Sequence, residues 1–391
     1  MLFNPVYQSL EKRLKRQVCG VPHNFRVLSH LGFEGVLSSE LSRLGFNTTS
    51  SFVGGITIQA KWADSWKILA FARTARRLDM EIAKFHAENF GKLEREFEKV
   101  PWELYYPAGY IPEIKVKCKK SRLYHSDAIA ERLKPILEKH LLSLGFTAPE
   151  PTTLQRIIID FENDVCTVYV DMAGVALYRR GHERFVDEAP LQETLAASIL
   201  LAGGLPQAPM LLDPMCGSAT FSLEAAAFAQ SRTQGAFRKF AIHEQPAFGD
   251  ASYQNMLKHA PQTETIPDFT IYTADKSKKS VATATHNAEV CNAAGLVKPV
   301  HADFFKGVVP HKPGALIALN PPYGIRLQTD TQKLYQEIGK KVRTDYRDCK
   351  IALLCPDHTT LHSFAPGVVN AIRTDHGGLS IFAIFADIRK L

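Results

Sequence analysis

From Gly181 onward, short and continuously apolar stretches alternate with helical ones, and this alternation constrains the fold more than any other feature of the chain. Residues 190–201 read as an apolar helix. Strand-type runs at 210–212, 270–273, 315–319 and 349–355 are separated by helical patterns at 221–229, 280–293 and 331–341. Strands that are apolar on both faces, with helices between them, predict a mostly parallel sheet covered on both sides. Such a sheet binds ligands beyond the carboxyl ends of its strands. Residues 380–388 close the chain with an alternating strand pattern.

The preceding half reads differently. Residues 1–22 form a basic helical extension. A strand at 25–29, a helix at 35–44, a strand at 56–60 and a helix at 63–78 then predict a small α+β unit. Residues 113–119 alternate with period two, which puts Lys115, Lys117 and Lys119 on one strand face and Ile114, Val116 and Cys118 on the other. Lys120 and Arg122 follow. Ser126 or Asp127 is expected to cap a helix reaching about residue 144, and 156–161 with 165–170 read as a hairpin. The lysine face suits either a phosphate-binding stripe or an exposed edge strand guarded by charge.

At 391 residues the chain is long enough for two or three domains. Residues 1–186 hold 27 Lys+Arg against 21 Asp+Glu, an excess of six of the net +7, so the positive charge is concentrated in the first half. A basic module beside a neutral one suits an anionic partner. The seven cysteines include no CxxC pair, so neither a disulfide framework nor a zinc site is expected. With no long apolar run and no secretory leader, a cytoplasmic protein without membrane contact is expected.

Four short motifs fall at successive strand ends. Asp213-Pro214-Met215-Cys216-Gly217-Ser218-Ala219-Thr220 is a small-residue turn that lets the backbone approach a ligand, and it is neither a phosphate loop nor GxGxxG. Asp275 suits ribose hydroxyls or a helix N-cap. Asp303-Phe304 pairs a carboxylate with a ring and suits either an adenine or a surface loop. Asn320-Pro321-Pro322-Tyr323 is the most specific. Its prolines fix the backbone, an Asn oxygen and a Pro carbonyl can accept the two hydrogens of a delocalised ring amine, and Tyr323 can stack on an extruded base.

In that order the motifs resemble class I S-adenosylmethionine methyltransferases that act on amino groups. Further stretches, among them residues 32–37, 53–56, 121–126, 129–132, 177–182 and 188–196, resemble bacterial THUMP-domain RNA methyltransferases that form N2-methylguanosine in large-subunit ribosomal RNA. The resemblance implies a Rossmann-like methyltransferase domain at 191–391, reached by a linker at 176–190. Before it would come a ferredoxin-like piece at 23–80 and a THUMP RNA-binding domain at 81–175. It implies a cofactor, S-adenosylmethionine, held by Asp213, Met215, Cys216, Gly217, Ser218, Thr220, Asp275, Asp303, Phe304 and Asn320, with catalysis by Asn320, Pro321, Pro322 and Tyr323. Structured RNA, 23S ribosomal RNA or its precursor, would meet Lys115, Lys117, Lys119, Arg122, Arg179 and Arg180, and no metal is implied. Ala219 stands where the family usually has glycine, and Ser277 where it often has a second acid. Transfer-RNA guanosine, DNA adenine and a non-catalytic assembly factor are the rival readings, while the glycine pattern disfavours a dehydrogenase.

Overall fold

The computed structural model describes residues 5–144, 149–186, 190–235, 237–259, 268–322, 331–365 and 370–391. In chain order the elements are α1 (Pro5–Leu14), β1 (Pro22–Leu28), α2 (Glu34–Arg43), β2 (Thr48–Phe52), β3 (Gly55–Lys61), α3 (Trp62–Phe71), β4 (Arg77–His86), α4 (Phe90–Glu98), β5 (Glu113–Lys119), α5 (Ser126–Leu142), β6 (Arg156–Glu162) and β7 (Val165–Asp171). Then come α6 (Glu193–Ala202), β8 (Met210–Asp213), α7 (Thr220–Ala229), α8 (Asp250–Lys258), β9 (Thr270–Asp275), α9 (Lys278–Val290), β10 (Val300–His301), β11 (Leu316–Leu319), α10 (Thr331–Asp345), β12 (Lys350–Cys355), α11 (His358–Phe364), β13 (Asn370–His376) and β14 (Leu379–Asp387). No helix among the described residues is long and apolar enough to cross a membrane.

The chain divides into two compact units. The first takes Met1–Leu28, Glu40–Leu177 and Gly235–Ala260; the second takes Ser29–Ser39, Tyr178–Gln234 and Pro261–Leu391.

In the first unit one sheet runs β2-β3-β1-β4-β7-β6-β5. β1, α2, β2, β3, α3 and β4 give a ferredoxin-like βαββαβ order, with β4 beside β1. β4 also pairs along its length with β7, so a boundary at residue 80 falls inside a strand that serves both neighbours. The helix expected at 63–78 ends at Phe71. Its apolar period continues, but the Glu40 carboxylate accepts the amides of Arg73 (2.8 Å) and Thr74 (3.0 Å), and this capture turns the chain out of the helix toward β4. α5 begins at Ser126, so the N-cap position belongs to His125, which makes no side-chain cap bond, and Asp127 lies in the first turn instead. The segment 235–260 packs in this unit: Trp66 meets Phe248 and Tyr253 at centroid distances of 5.3 and 5.9 Å.

In the second unit the sheet order is β10-β9-β8-β11-β12-β14-β13, with β14 alone antiparallel to its neighbours. This is the class I methyltransferase arrangement that the resemblance implied. Alternate residues of each strand feed two cores. Leu211, Leu316, Ala318, Ala352 and Leu354 pack with α6 and α7 on one face. Leu212, Ile317, Leu319, Ile351 and Leu353 pack with α10 on the other. Both strand faces are therefore dry, which explains the continuous apolar runs. Residues 29–39 join the first of these cores through Phe33, edge-on to Phe385 at 6.4 Å. Gly32 enters at φ 81° with its Cα so close to the Arg373 carbonyl that a Cβ would stand 2.7 Å from it.

Candidate active site

β8 lies third in the second sheet, with β9 and β10 on one side and β11, β12, β14 and β13 on the other. The chain order reverses about β8, so the carboxyl ends of β8, β9 and β11 border the crevice where an open α/β sheet takes its ligand. Three of the four motifs sit at those ends, and Asp303 follows β10 closely.

The glycine turn is held from below by its neighbours. The amide of Cys216 donates to the Ala274 carbonyl (2.9 Å), and the amide of Gly217 donates to Asp275 Oδ2 (3.0 Å). Asp275 Oδ1 accepts from the Ser277 amide (2.8 Å). The N-cap of α9 is Ser277, whose side chain takes the Ser280 amide, so Asp275 is free of capping duty and bridges two loops instead. Each of its oxygens keeps a lone pair for a hydroxyl. Gly217 has φ 52°, and a Cβ there would meet nothing within 4 Å: the turn leaves room for a ligand. Ala219 also adopts a left-handed conformation (φ 65°), which costs an alanine on the order of 1 kcal/mol relative to glycine. Its methyl group is fully buried with Leu223, Ala226, Ala284 and Ala288. The family's missing glycine is thus replaced by core packing, not by a methyl pressed into the ligand space.

Asp213 closes β8 in a fully buried position. Its Oδ2 accepts from the amide (3.2 Å) and hydroxyl (2.7 Å) of Ser222, whose hydroxyl accepts from Thr273 (2.8 Å). Its Oδ1 is buried without a partner. Burial, reinforced by the charge of Asp275 and opposed by the bonds from Ser222, pushes its pKa up to about 7. Burial likewise drives the Cys216 thiol far up, so it is no nucleophile. Met215 is half-buried and Thr220 buried in the first turn of α7.

Asn320 follows β11, half-buried, and its Oδ1 is buried with no hydrogen-bond partner. Pro321 is buried and Pro322 exposed. Tyr323 lies outside the described residues. Asp303 Oδ1 accepts the Phe305 amide (3.0 Å). Phe304 is 6% exposed and stacks on Tyr346 at 6.0 Å within the core, while Phe305 beside it is the ring at the surface.

The residues expected at RNA separate into two groups. Lys115, Lys117 and Lys119 are all exposed on one face of β5, which among the described residues is an edge strand paired with β6 alone. Lys115 pairs with Glu113, and Lys119 with Glu162 at 2.7 Å. Arg122 is exposed and reaches Glu88 at 2.6 Å. Arg179 is exposed. Arg180 requires correction: it is 8% exposed and its guanidinium grips the buried Glu224 through two bonds of 3.2 Å. A buried arginine committed to a carboxylate is an anchor for α7, not a phosphate contact.

Sequence reasoning missed Asn287. It is fully buried on α9; its Nδ2 donates to the carbonyls of Phe185 (2.8 Å) and Ser218 (3.1 Å), and its Oδ1 accepts the Phe185 amide (2.8 Å). One side chain thus ties the glycine turn to the strand of chain before α6. Elsewhere, His311, Asp348 and Cys349 bring potential ligand atoms within 4.8 Å. His311 already spends both nitrogens there, on Asp348 (2.9 Å) and the Val309 carbonyl (2.9 Å).

The glycine turn that ends β8 is thus braced by the acid that ends β9, and the unpartnered Asn320 oxygen follows β11, the strand paired with β8 on its other side. Residues 180–375 match the family model described as RMKL-like, methyltransferase domain. The chain belongs to that family. Residues 24–78 match the RlmL ferredoxin-like domain. The curated relatives include "Ribosomal RNA large subunit methyltransferase K/L" of Shewanella baltica (strain OS185), 28% identical over 345 residues, covering 85% of this chain and 48% of that protein. The protein of the same name from Syntrophotalea carbinolica is 29% identical over 367 residues, covering 85% and 49%. The chain therefore spans about half the length of these family relatives. Among solved structures, a protein regarded as a methyltransferase and complexed with SAH is 25% identical with a TM-score of 0.80, covering 93% of this chain and 97% of that one. TrmN from Thermus thermophilus shares the fold at 18% identity and a TM-score of 0.63.

Proposed function

We propose that this chain methylates the exocyclic N2 amine of a guanosine in large-subunit ribosomal RNA, with S-adenosylmethionine as methyl donor. The observation that carries the reading is Asn320 Oδ1, a buried acceptor without a donor at the end of β11, on a backbone fixed by Pro321 and Pro322. A buried acceptor left unmade costs about 1–3 kcal/mol, a cost that an amine N–H in the site would remove.

The residues fit the cofactor. The open face at Gly217, the spare lone pairs of Asp275 and the orphan Oδ1 of Asp213 offer space and acceptors at one strand edge. Met215, Cys216, Ser218, Thr220 and Asp303 would complete the cradle, and Phe304 would support it from the core. When bound, S-adenosylmethionine supplies a methyl group on a positively charged sulfur. Asn320 Oδ1 and the Pro321 carbonyl would accept the two amine hydrogens and favour a pyramidal nitrogen whose lone pair is available. That interaction strengthens as the nitrogen–carbon bond forms, so it acts on the transition state. The nitrogen would then carry one proton in excess, which would pass to solvent past the exposed Pro322. Tyr323 would stack on the guanine once the base leaves its helix, at an unpairing cost of a few kcal/mol.

RNA capture falls to the first unit, whose segment 81–175 we read as a THUMP domain. The exposed face of Lys115, Lys117 and Lys119 with Arg122 would follow phosphates. The named relatives act on large-subunit ribosomal RNA by their names, and the same substrate class would place this chain in the cytoplasm. The test is purified protein with methyl-labelled cofactor, offered separately ribosomal RNA, transfer RNA and DNA, followed by nucleoside analysis. N2-methylguanosine in large-subunit RNA is expected. Label confined to transfer RNA would move the substrate, label in DNA adenine would overturn the substrate class, and no label with RNA bound would return the assembly-factor reading.

A further inference from the structure

Phe185 is 61% exposed, an unusual place for a phenyl ring, and yet its backbone is held at both polar atoms. Asn287 bonds its amide and its carbonyl, and the same side chain holds Ser218 in the glycine turn. One face of the ring lies flat on His286, with centroids 4.1 Å apart and planes 13° apart. His286 belongs to α9, and Lys279 lies seven residues earlier, on the same helix face two turns away. Lys276, Lys278 and Lys279 are all exposed. A half-covered aromatic held by its backbone, with cations at the start of the helix that backs it, is the combination that holds single-stranded nucleic acid: the ring takes a base and the cations take its phosphates.

We propose that Phe185, backed by His286, is a stacking platform for an unpaired RNA base that flanks the methylated nucleotide. This rests on the RNA reading above and adds a contact that the motifs do not contain. Burying the ring against solvent would be the ordinary fate of a phenylalanine, and here two backbone hydrogen bonds to Asn287 hold it in place without burying it. Because Asn287 joins Phe185 to the glycine turn, the platform and the cofactor loop keep a fixed relation, and a base stacked there registers the RNA chain against the methyl donor. An unstacked base finds its partner in the open face of Phe185; a paired base in a helix cannot reach it, so the platform favours loops and unfolded precursors.

The experiment compares the full chain with Phe185→Ala and Phe185→Trp, using deproteinised large-subunit ribosomal RNA and S-adenosylmethionine. Phe185→Ala should raise KM for RNA about tenfold, the loss of one stacked base, with cofactor affinity by calorimetry within about twofold of the parent. Phe185→Trp, which keeps a ring, should restore KM. A 2-aminopurine-labelled twelve-nucleotide single-stranded RNA should be quenched by the parent and by Phe185→Trp but not by Phe185→Ala. If the parent transfers no methyl group to any RNA, the activity reading fails, and the quenching experiment still decides the platform. Equal KM and equal quenching in Phe185→Ala would overturn the platform, as would a loss in both variants accompanied by weakened cofactor binding.

Discussion

Asp213→Asn isolates the cost of burying a carboxylate at the end of β8. The folded protein raises this group from an ordinary 3.8 to about 7 because it is buried with one oxygen satisfied by Ser222 and the other unpartnered. A rise of that size corresponds to about 4 kcal/mol at roughly 1.36 kcal/mol per decade. The sign follows from proton binding. Between about pH 4 and pH 7 the unfolded chain has lost this proton while the folded chain still holds it, so stability falls as pH rises through that window and levels off above it. The amide of the variant would keep the carbonyl that Ser222 bonds and carry no charge. Urea unfolding without cofactor at about pH 5 and about pH 8 should show the parent losing about 3 kcal/mol more than the variant, because roughly two pH units of the window at about 1.36 kcal/mol each lie inside that interval. Asp171, also raised by burial to about 6, contributes equally to both proteins and cancels in the comparison. Identical pH dependence in parent and variant would refute the reasoning.

Arg180→Ala leaves Glu224 buried and uncompensated and should destabilise the second unit by about 3–5 kcal/mol, while the variant, kept folded at low temperature, binds RNA with an unchanged salt slope. A shallower slope would return Arg180 to the RNA surface. Replacing Lys115, Lys117 and Lys119 together by Ala should lower the magnitude of the slope of log affinity against log salt by up to about 2, at roughly 0.7 per single-strand phosphate contact, measured by filter binding. An unchanged slope would make β5 a charge-guarded edge and nothing more. Asp275→Ala frees the Gly217 amide and should weaken cofactor binding by about 1–3 kcal/mol by calorimetry, and an unchanged titration would remove Asp275 from the site.

The second sheet was legible because its central strands are dry on both faces, so β8, β11 and β12 announce themselves as apolar runs that no exposed element would carry. The four motifs fell at its carboxyl edge because a parallel sheet fixes which strand end faces the crevice. What stayed hidden depends on partners far away in the chain. α3 stops at Phe71 because Glu40 takes two amides more than thirty residues on. Residues 29–39 and 235–260 show amphipathic patterns that state burial without naming the unit that buries them. Arg180 resembled a phosphate contact because its sequence neighbours are basic, and Glu224, which neutralises it, lies 44 positions later. Asn287 gave no signal at all, since a single helical asparagine is ordinary until both backbones it holds are seen together. Tyr323, central to the sequence reading, lies outside the described residues.

The account turns on Asn320 as the acceptor that readies an amine for methylation. The direct measurement is single-turnover methyl transfer to large-subunit ribosomal RNA by the parent and by Asn320→Ala, alongside cofactor binding of each by calorimetry. Loss of a transition-state hydrogen bond predicts that transfer slows by roughly 100-fold or more, while cofactor affinity changes by less than about threefold. Transfer by Asn320→Ala at close to the parent rate would contradict the account.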